Sequence, residues 1–276
     1  MTEKHYENFP VASIALPKSM RKPVGLIYAF ARQADDFADE GERSREERTA
    51  LLNGFRRELE RIRNRQEPET ALFAALSAVI GQYGLPLQLF HDLLDAFTQD
   101  IGKKRYENFT ELVSYCEKSA NPVGRLLLIL YGVDSERNRF YSDKICSSLQ
   151  LINFLQDVGI DYAMGRIYLP QDEMMRFGIS EHDIASKHAG QTWQALMAFQ
   201  ADRARQMMLE GAPLAKAMKG RFSLEMKLIV LGGLAILDKM EKARWDVFRN
   251  RPRLERRDWL QLAPRALFSG SIFDGK

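Results

Sequence analysis

The sequence predicts an all-α fold in a single domain, and three observations carry that expectation. Apolar residues recur at helical spacing along most of the 276 residues. No stretch alternates apolar and polar residues as a half-buried strand does. No internal repeat or low-complexity linker interrupts the chain, whose length suits one large core or at most two small ones.

Taken in order, residues 1–16 read as irregular, punctuated by Pro10 and Pro17. A helix is expected over 19–40, packing through Val24, Ile27, Ala31, Ala34 and Ala38 and stopped by Gly41. Ser44 and Glu47 form a capping box for a second helix to about residue 65. Leu51, Leu52, Phe55, Leu59 and Ile62 make its core stripe, and its many charges read as a solvated face. Residues 71–82 and 86–101 are two more helices, and Lys103-Lys-Arg-Tyr106 is a short basic loop of the usually solvated kind. One long helix is expected over 110–131, with Pro122 and Gly124 as a weak point that either admits a ligand or packs tightly. Helices follow over 136–163, 171–176, 192–219 and 223–248, then a tail with Arg249, Arg251, Arg253, Arg256 and Arg257. Those arginines read most simply as a solvated helix end; diphosphate steering and contact with an anionic membrane are the other two readings.

Composition narrows the classes of function. Charged residues make up 28% of the chain and the net charge is only +3, so no basic field argues for nucleic acid. Cys116 and Cys146 lack metal-ligand spacing and call for no oxidising compartment. The N-terminus has no apolar core of a secretory signal, and the apolar run 126–133 is too short to span a bilayer, so a cytoplasmic chain is expected.

The chemistry is expected where acidic residues share helix faces. Gln150, Asn153, Asp157 and Asp161 fall within a stripe about 80° wide. Leu151, Phe154, Leu155 and Val158 wall it on one side, Leu149 and Ile160 on the other. Two ionised carboxylates in such a setting cost several kcal/mol each unless something positive meets them. No Lys or Arg lies one turn away, so the partner is either a bound cation or arginines of another helix. Tyr28, Arg32, Asp35 and Asp39 line up in the same way on the first helix, where i, i+4 carboxylates repel unless bridged. Facing each other across a bundle, the two pairs suit magnesium, which is held by one or two carboxylates and substrate phosphates. A di-iron bundle would need Glu-x-x-His, and none of His5, His91, His182 or His188 has a Glu three residues earlier. No G-x-G-x-x-G suggests a dinucleotide.

Tyr28-Ala-Phe-Ala-Arg32, Asp35-Asp-Phe-Ala-Asp39, Tyr115-Cys116 and Gln150-x-x-Asn153-x-x-x-Asp157-x-x-x-Asp161 together resemble the squalene/phytoene synthase family, over about residues 5–260. The resemblance implies an isoprenoid-synthase (terpenoid synthase) helical bundle with a central cavity. It implies Asp35, Asp39, Asp157 and Asp161 as magnesium ligands and Tyr115 as the residue that handles a proton or stabilises a cation. Arg32, Asp36, Gln150, Asn153, Asn121, Tyr28 and Arg166 would contact an isoprenoid diphosphate. Within the family, residues 7–13, 119–124 and 154–157 look most like the hydroxysqualene synthases of hopanoid pathways, which ionise presqualene diphosphate and capture the rearranged cation with water. Where many relatives have Arg before the second acidic motif and Glu within it, this chain has Gln156 and Ile160. Many also carry a serine-rich segment ahead of Phe9, where this chain has Tyr6 and Asn8. The alternatives are a head-to-head condensing synthase and, in another class, a non-catalytic binder of diphosphate lipids. Peripheral membrane contact for product release and contacts with pathway enzymes are further expectations.

Overall fold

A computed structural model describes residues 17–249, 251–268 and 273; the expected irregular segment 1–16, with His5 and the 7–13 motif, lies outside them. All the regular structure of the described residues is helical, apart from turns. Two compact units result. One comprises the described residues up to Lys103 together with Glu117–Arg139; the other comprises Lys104–Cys116 and the described residues from Phe140 onward.

The first unit holds α1 (Lys18–Asp39), α2 (Arg45–Arg63), α3 (Ala71–Tyr83) and α4 (Leu87–Gly102). Its core is aromatic. Phe30 lies 5.4, 5.8 and 5.2 Å, centroid to centroid, from Phe55, Phe73 and Phe90, mostly in edge-to-face contacts that suit ring quadrupoles. The packing face of α1 is therefore centred on Phe30, which the sequence reading passed over, and Ala31 is only half-buried. The capping box of α2 forms as expected: the Glu47 amide donates to Ser44 Oγ and the Ser44 amide to Glu47 Oε2.

The helix expected over 110–131 is two helices, α5 (Phe109–Ser119) and α6 (Asn121–Leu130), parted at Ala120 (φ −120°, ψ −47°). The break explains Pro122. In the first turn of α6 its missing amide loses no helical partner, so the weak point is a boundary rather than a kink.

The second unit is built on α7 (Glu136–Ala163), followed by α8 (Gln171–Arg176), α9 (Glu181–Ala185), α10 (Gln191–Gly211), α11 (Leu214–Ala217), α12 (Arg221–Lys242) and α13 (Arg256–Phe268). Two glycines let helices approach closely. A Cβ on Gly211 would meet the Tyr141 carbonyl oxygen at 2.6 Å, and one on Gly233 would meet Met208 Cε at 2.6 Å. The helix expected to reach residue 219 stops at Gly211, with Pro213 just beyond. The one expected to reach 248 stops at Lys242, before Arg244 and Trp245 turn at φ 52° and 61°. The expected tail contains α13, which carries Pro264 within it. No described helix is long and apolar enough to cross a membrane.

Candidate functional site

In the first unit the acidic end of α1 is held by an arginine from α2. Arg48 donates to the carbonyls of Ala38 (2.6 Å), Phe37 (3.3 Å), Gly41 (2.7 Å) and Arg43 (3.2 Å). It satisfies carbonyls that a helix end leaves open, and its charge opposes the negative end of the helix dipole. Arg48 thus belongs to the site's scaffold and not to a solvated face. One turn back, Arg32 approaches three carboxylates: Asp36 at 2.8 Å, Glu40 at 2.9 Å and Asp35 at 3.5 Å. Burial raises the Asp36 carboxyl above its ordinary range; Arg32 opposes that shift, while Glu40 and Asp39 add to it. Its Oδ1, though 2.8 Å from Arg32, is buried without a hydrogen-bond partner. Tyr28 lies exposed on α1, Asp35 is half-buried and Asp39 is exposed. Asn121 is buried at the start of α6.

In the second unit Gln150, Asn153, Asp157 and Asp161 are all half-buried on α7, beside the buried Leu151, Phe154, Leu155 and Val158. On the other side Leu149 is buried as expected, but Ile160 is largely exposed, so the second apolar wall is only half there. Of the two partners left open for the stripe, an arginine is present at Asp157. Arg251 grips that carboxylate through both Nε and Nη2, the latter at 2.9 Å from Oδ2. The residues around Arg251 are anchored to α7 at two further points: buried Gln156 donates to the Pro252 carbonyl at 2.6 Å, and Phe248 packs against Gly159. The reading of the 249–257 arginines as a solvated end therefore fails at Arg251, while Arg249 and Arg257 stay exposed beside Asp246 and Glu255.

Tyr115 is buried in an aromatic group that only the fold assembles. Its ring centroid lies 5.6 Å from Tyr106, 5.9 Å from Tyr168 and 6.1 Å from Phe154. Phe154 and Tyr168 stack at 3.8 Å with an interplanar angle of 5°. Tyr106 and Tyr168 escaped the sequence reading, because their meeting depends on two loops pairing. Ile167 donates to the Lys104 carbonyl at 3.0 Å and Gln171 to that of Tyr106 at 2.9 Å. Arg105 ties the Gly165 carbonyl (2.7 Å) to Glu181 (2.6 and 2.7 Å). The basic loop is a built junction, contrary to expectation. Arg166 is buried beside it, its amide donating to the Asp161 carbonyl at 2.8 Å.

The donors of both acidic segments are oxygens, which fits a hard dication held through one or two carboxylates and a substrate phosphate. Among the described residues no three His, Cys, Asp or Glu side chains converge into a ready-made cage. At Asp157, a dication would share or displace Arg251.

The model of the squalene/phytoene synthase family matches residues 2–258. The hydroxysqualene synthase of Zymomonas mobilis is 40% identical over 187 residues, 66% of this chain and 61% of that one. The 15-cis-phytoene synthase of Synechococcus elongatus is 30% identical over 265 residues, 91% of this chain and 85% of that one. Among solved structures, a squalene synthase from Alicyclobacillus acidocaldarius superposes with a TM-score of 0.81 at 35% identity, covering 87% of this chain and 90% of its own.

Proposed function

Because the chain belongs to the squalene/phytoene synthase family, whose members act on isoprenoid diphosphates, we propose that it converts presqualene diphosphate to hydroxysqualene with magnesium as cofactor. The bond from carbon to the diphosphate oxygen breaks, the cation rearranges, water adds to it and loses a proton, and diphosphate leaves. On this reading the two units act as one squalene/phytoene synthase domain.

The observation that supports this choice is Gln156. Its side chain is buried and spends its amide on the Pro252 carbonyl, so the position ahead of the second acidic motif offers no charge to a second diphosphate. Asp35, Asp39, Asp157 and Asp161 would hold magnesium, which when bound neutralises the departing diphosphate as a Lewis acid. Arg32, Asp36, Tyr28, Gln150, Asn153, Asn121 and Arg166 would orient the substrate. Tyr115 presents a phenol that can relay a proton, and its ring, with those of Phe154 and Tyr168, offers negative faces to a carbocation.

A second reading is a condensing synthase that joins two allylic diphosphates head to head. It is supported by Arg251, which brings a guanidinium to the motif that Gln156 leaves uncharged. Product analysis by mass spectrometry separates the two. The pure protein with magnesium should turn presqualene diphosphate into hydroxysqualene, with or without a nicotinamide cofactor, and leave farnesyl and geranylgeranyl diphosphate untouched. Turnover of either of those alone would establish the second reading.

A further inference from the structure

We propose that the outward face of α13 docks the protein on an anionic lipid surface. The helix has one face committed inward: Asp258, Leu262 and Ala266 recur every four residues, with Leu262 and Ala266 buried and Asp258 held by Lys239 of α12. The Trp259 indole sits against Gly232, 3.7 Å from where a Cβ would stand. The opposite face is apolar where a solvated face would be polar. Leu260 is 77% and Leu267 62% exposed, seven residues apart and so on one stripe, with exposed Ala263 and Pro264 between them and Trp259 39% exposed at the edge.

Charge identifies the occupant. Arg256 lies on the same stripe one turn before Leu260, and Arg257 stands exposed beside it; Arg253, just before the helix, and Arg265, on its flank, are exposed as well. The acidic residues nearby are engaged: Asp258 by Lys239, and Glu255 by Arg257. Arg253, Arg256 and Arg265 make no ion pair among the described residues. An apolar stripe with a tryptophan edge and an arginine rim is the pattern of a helix lying in the membrane interface, and each basic residue adds attraction to anionic lipid. A second copy is the poorer partner, since an isologous contact would set this arginine rim against itself. The inference rests on α13 alone, so the proposed reaction stands or falls separately.

Vesicle binding by the whole protein tests it. Trp193 and Trp245 are buried at 0% and 8% exposure, so a change in tryptophan emission on adding vesicles reports Trp259. The protein should sediment with phosphatidylcholine vesicles containing phosphatidylglycerol, with emission shifted to the blue. It should release in high salt and bind pure phosphatidylcholine weakly. Trp259→Phe should keep the binding and lose the shift. Leu260→Asp/Leu267→Asp and Arg256→Glu/Arg257→Glu should each weaken binding about tenfold or more with the melting curve unchanged. Leu260→Ser/Leu267→Ser, which adds no charge, should do the same in direction. Absence of binding to the anionic vesicles, or binding that all these variants retain, overturns the inference. So does a dimer that Leu260→Asp/Leu267→Asp dissociates in a protein that ignores vesicles.

Discussion

Asp157 carries two demands that pull in opposite directions. As the magnesium ligand proposed above it would need an open carboxylate, yet both its oxygens are taken by Arg251. A lone crowded carboxylate would gain from Asp→Asn, because repulsion would fall. A carboxylate gripped by a guanidinium loses, because the two-pronged ion pair with that guanidinium is broken. The second applies here. Side-chain exposures of 22% for Asp157 and 35% for Arg251 put the pair between the exposed and buried limits. Asp157→Asn in EDTA should therefore cost roughly 1–2 kcal/mol of stability. Arg251→Gln should cost less, because the carboxylate left behind is a small anion that can recruit water. A double-mutant cycle read by urea melts should give a coupling of about 1 kcal/mol or more. Strict additivity would mean that the two side chains touch without supporting each other.

Among the elements, α1 shows how a site can depend on a helix that does not belong to it. Its acidic C-terminal turn runs against the helix dipole, which disfavours negative charge there. Arg48 of α2 offsets this by covering the last carbonyls with a planar fork. Arg48→Gln should lower stability by about 1–2 kcal/mol and weaken magnesium binding by fraying the turn that carries Asp35 and Asp39. Arg48→Lys should recover only part of both, since an ammonium keeps the charge and loses the fork. Full recovery by lysine, in melts and in magnesium titrations, would reduce the contact to simple charge. The same elements mark what the sequence made legible. Capping at Ser44, the acidic stripe on α7 and most helix spans are local, periodic signals, and they were readable. Arg48 was hidden among the other charges of α2, and Arg251 pairs with a residue 94 positions away. Tyr106 and Tyr168 meet through loop pairing, which no periodicity announces. In α13 the arginines and Pro264 obscured a helix whose apolar residues face outward as well as inward.

For the whole molecule, the decisive question is whether the acidic segments are metal ligands or only charged helix faces, and binding linkage answers it without catalysis. A ligand that binds the folded state alone, at 100 times its dissociation constant, adds roughly 2.7 kcal/mol. In a chain of this size that is a rise in melting temperature of about 5 °C. Magnesium with inorganic diphosphate should produce such a rise, EDTA should remove it, and sodium chloride of equal ionic strength should not reproduce it. Asp39→Asn sharpens the test. Asp39 and Glu40 both push the Asp36 carboxyl upward, a sign of repulsion among the acids of this turn. Neutralising Asp39 should leave the metal-free protein as stable as before or slightly more so, while taking away much of the rise with magnesium and diphosphate. A purely structural turn behaves otherwise: the variant would melt earlier in EDTA and respond to magnesium and diphosphate no differently from the parent protein. Asp157→Asn should lose on both counts, because there the proposed metal would use the same oxygens as Arg251. The two variants, melted side by side with and without magnesium, distinguish a carboxylate kept for the metal from one that is also part of the fold.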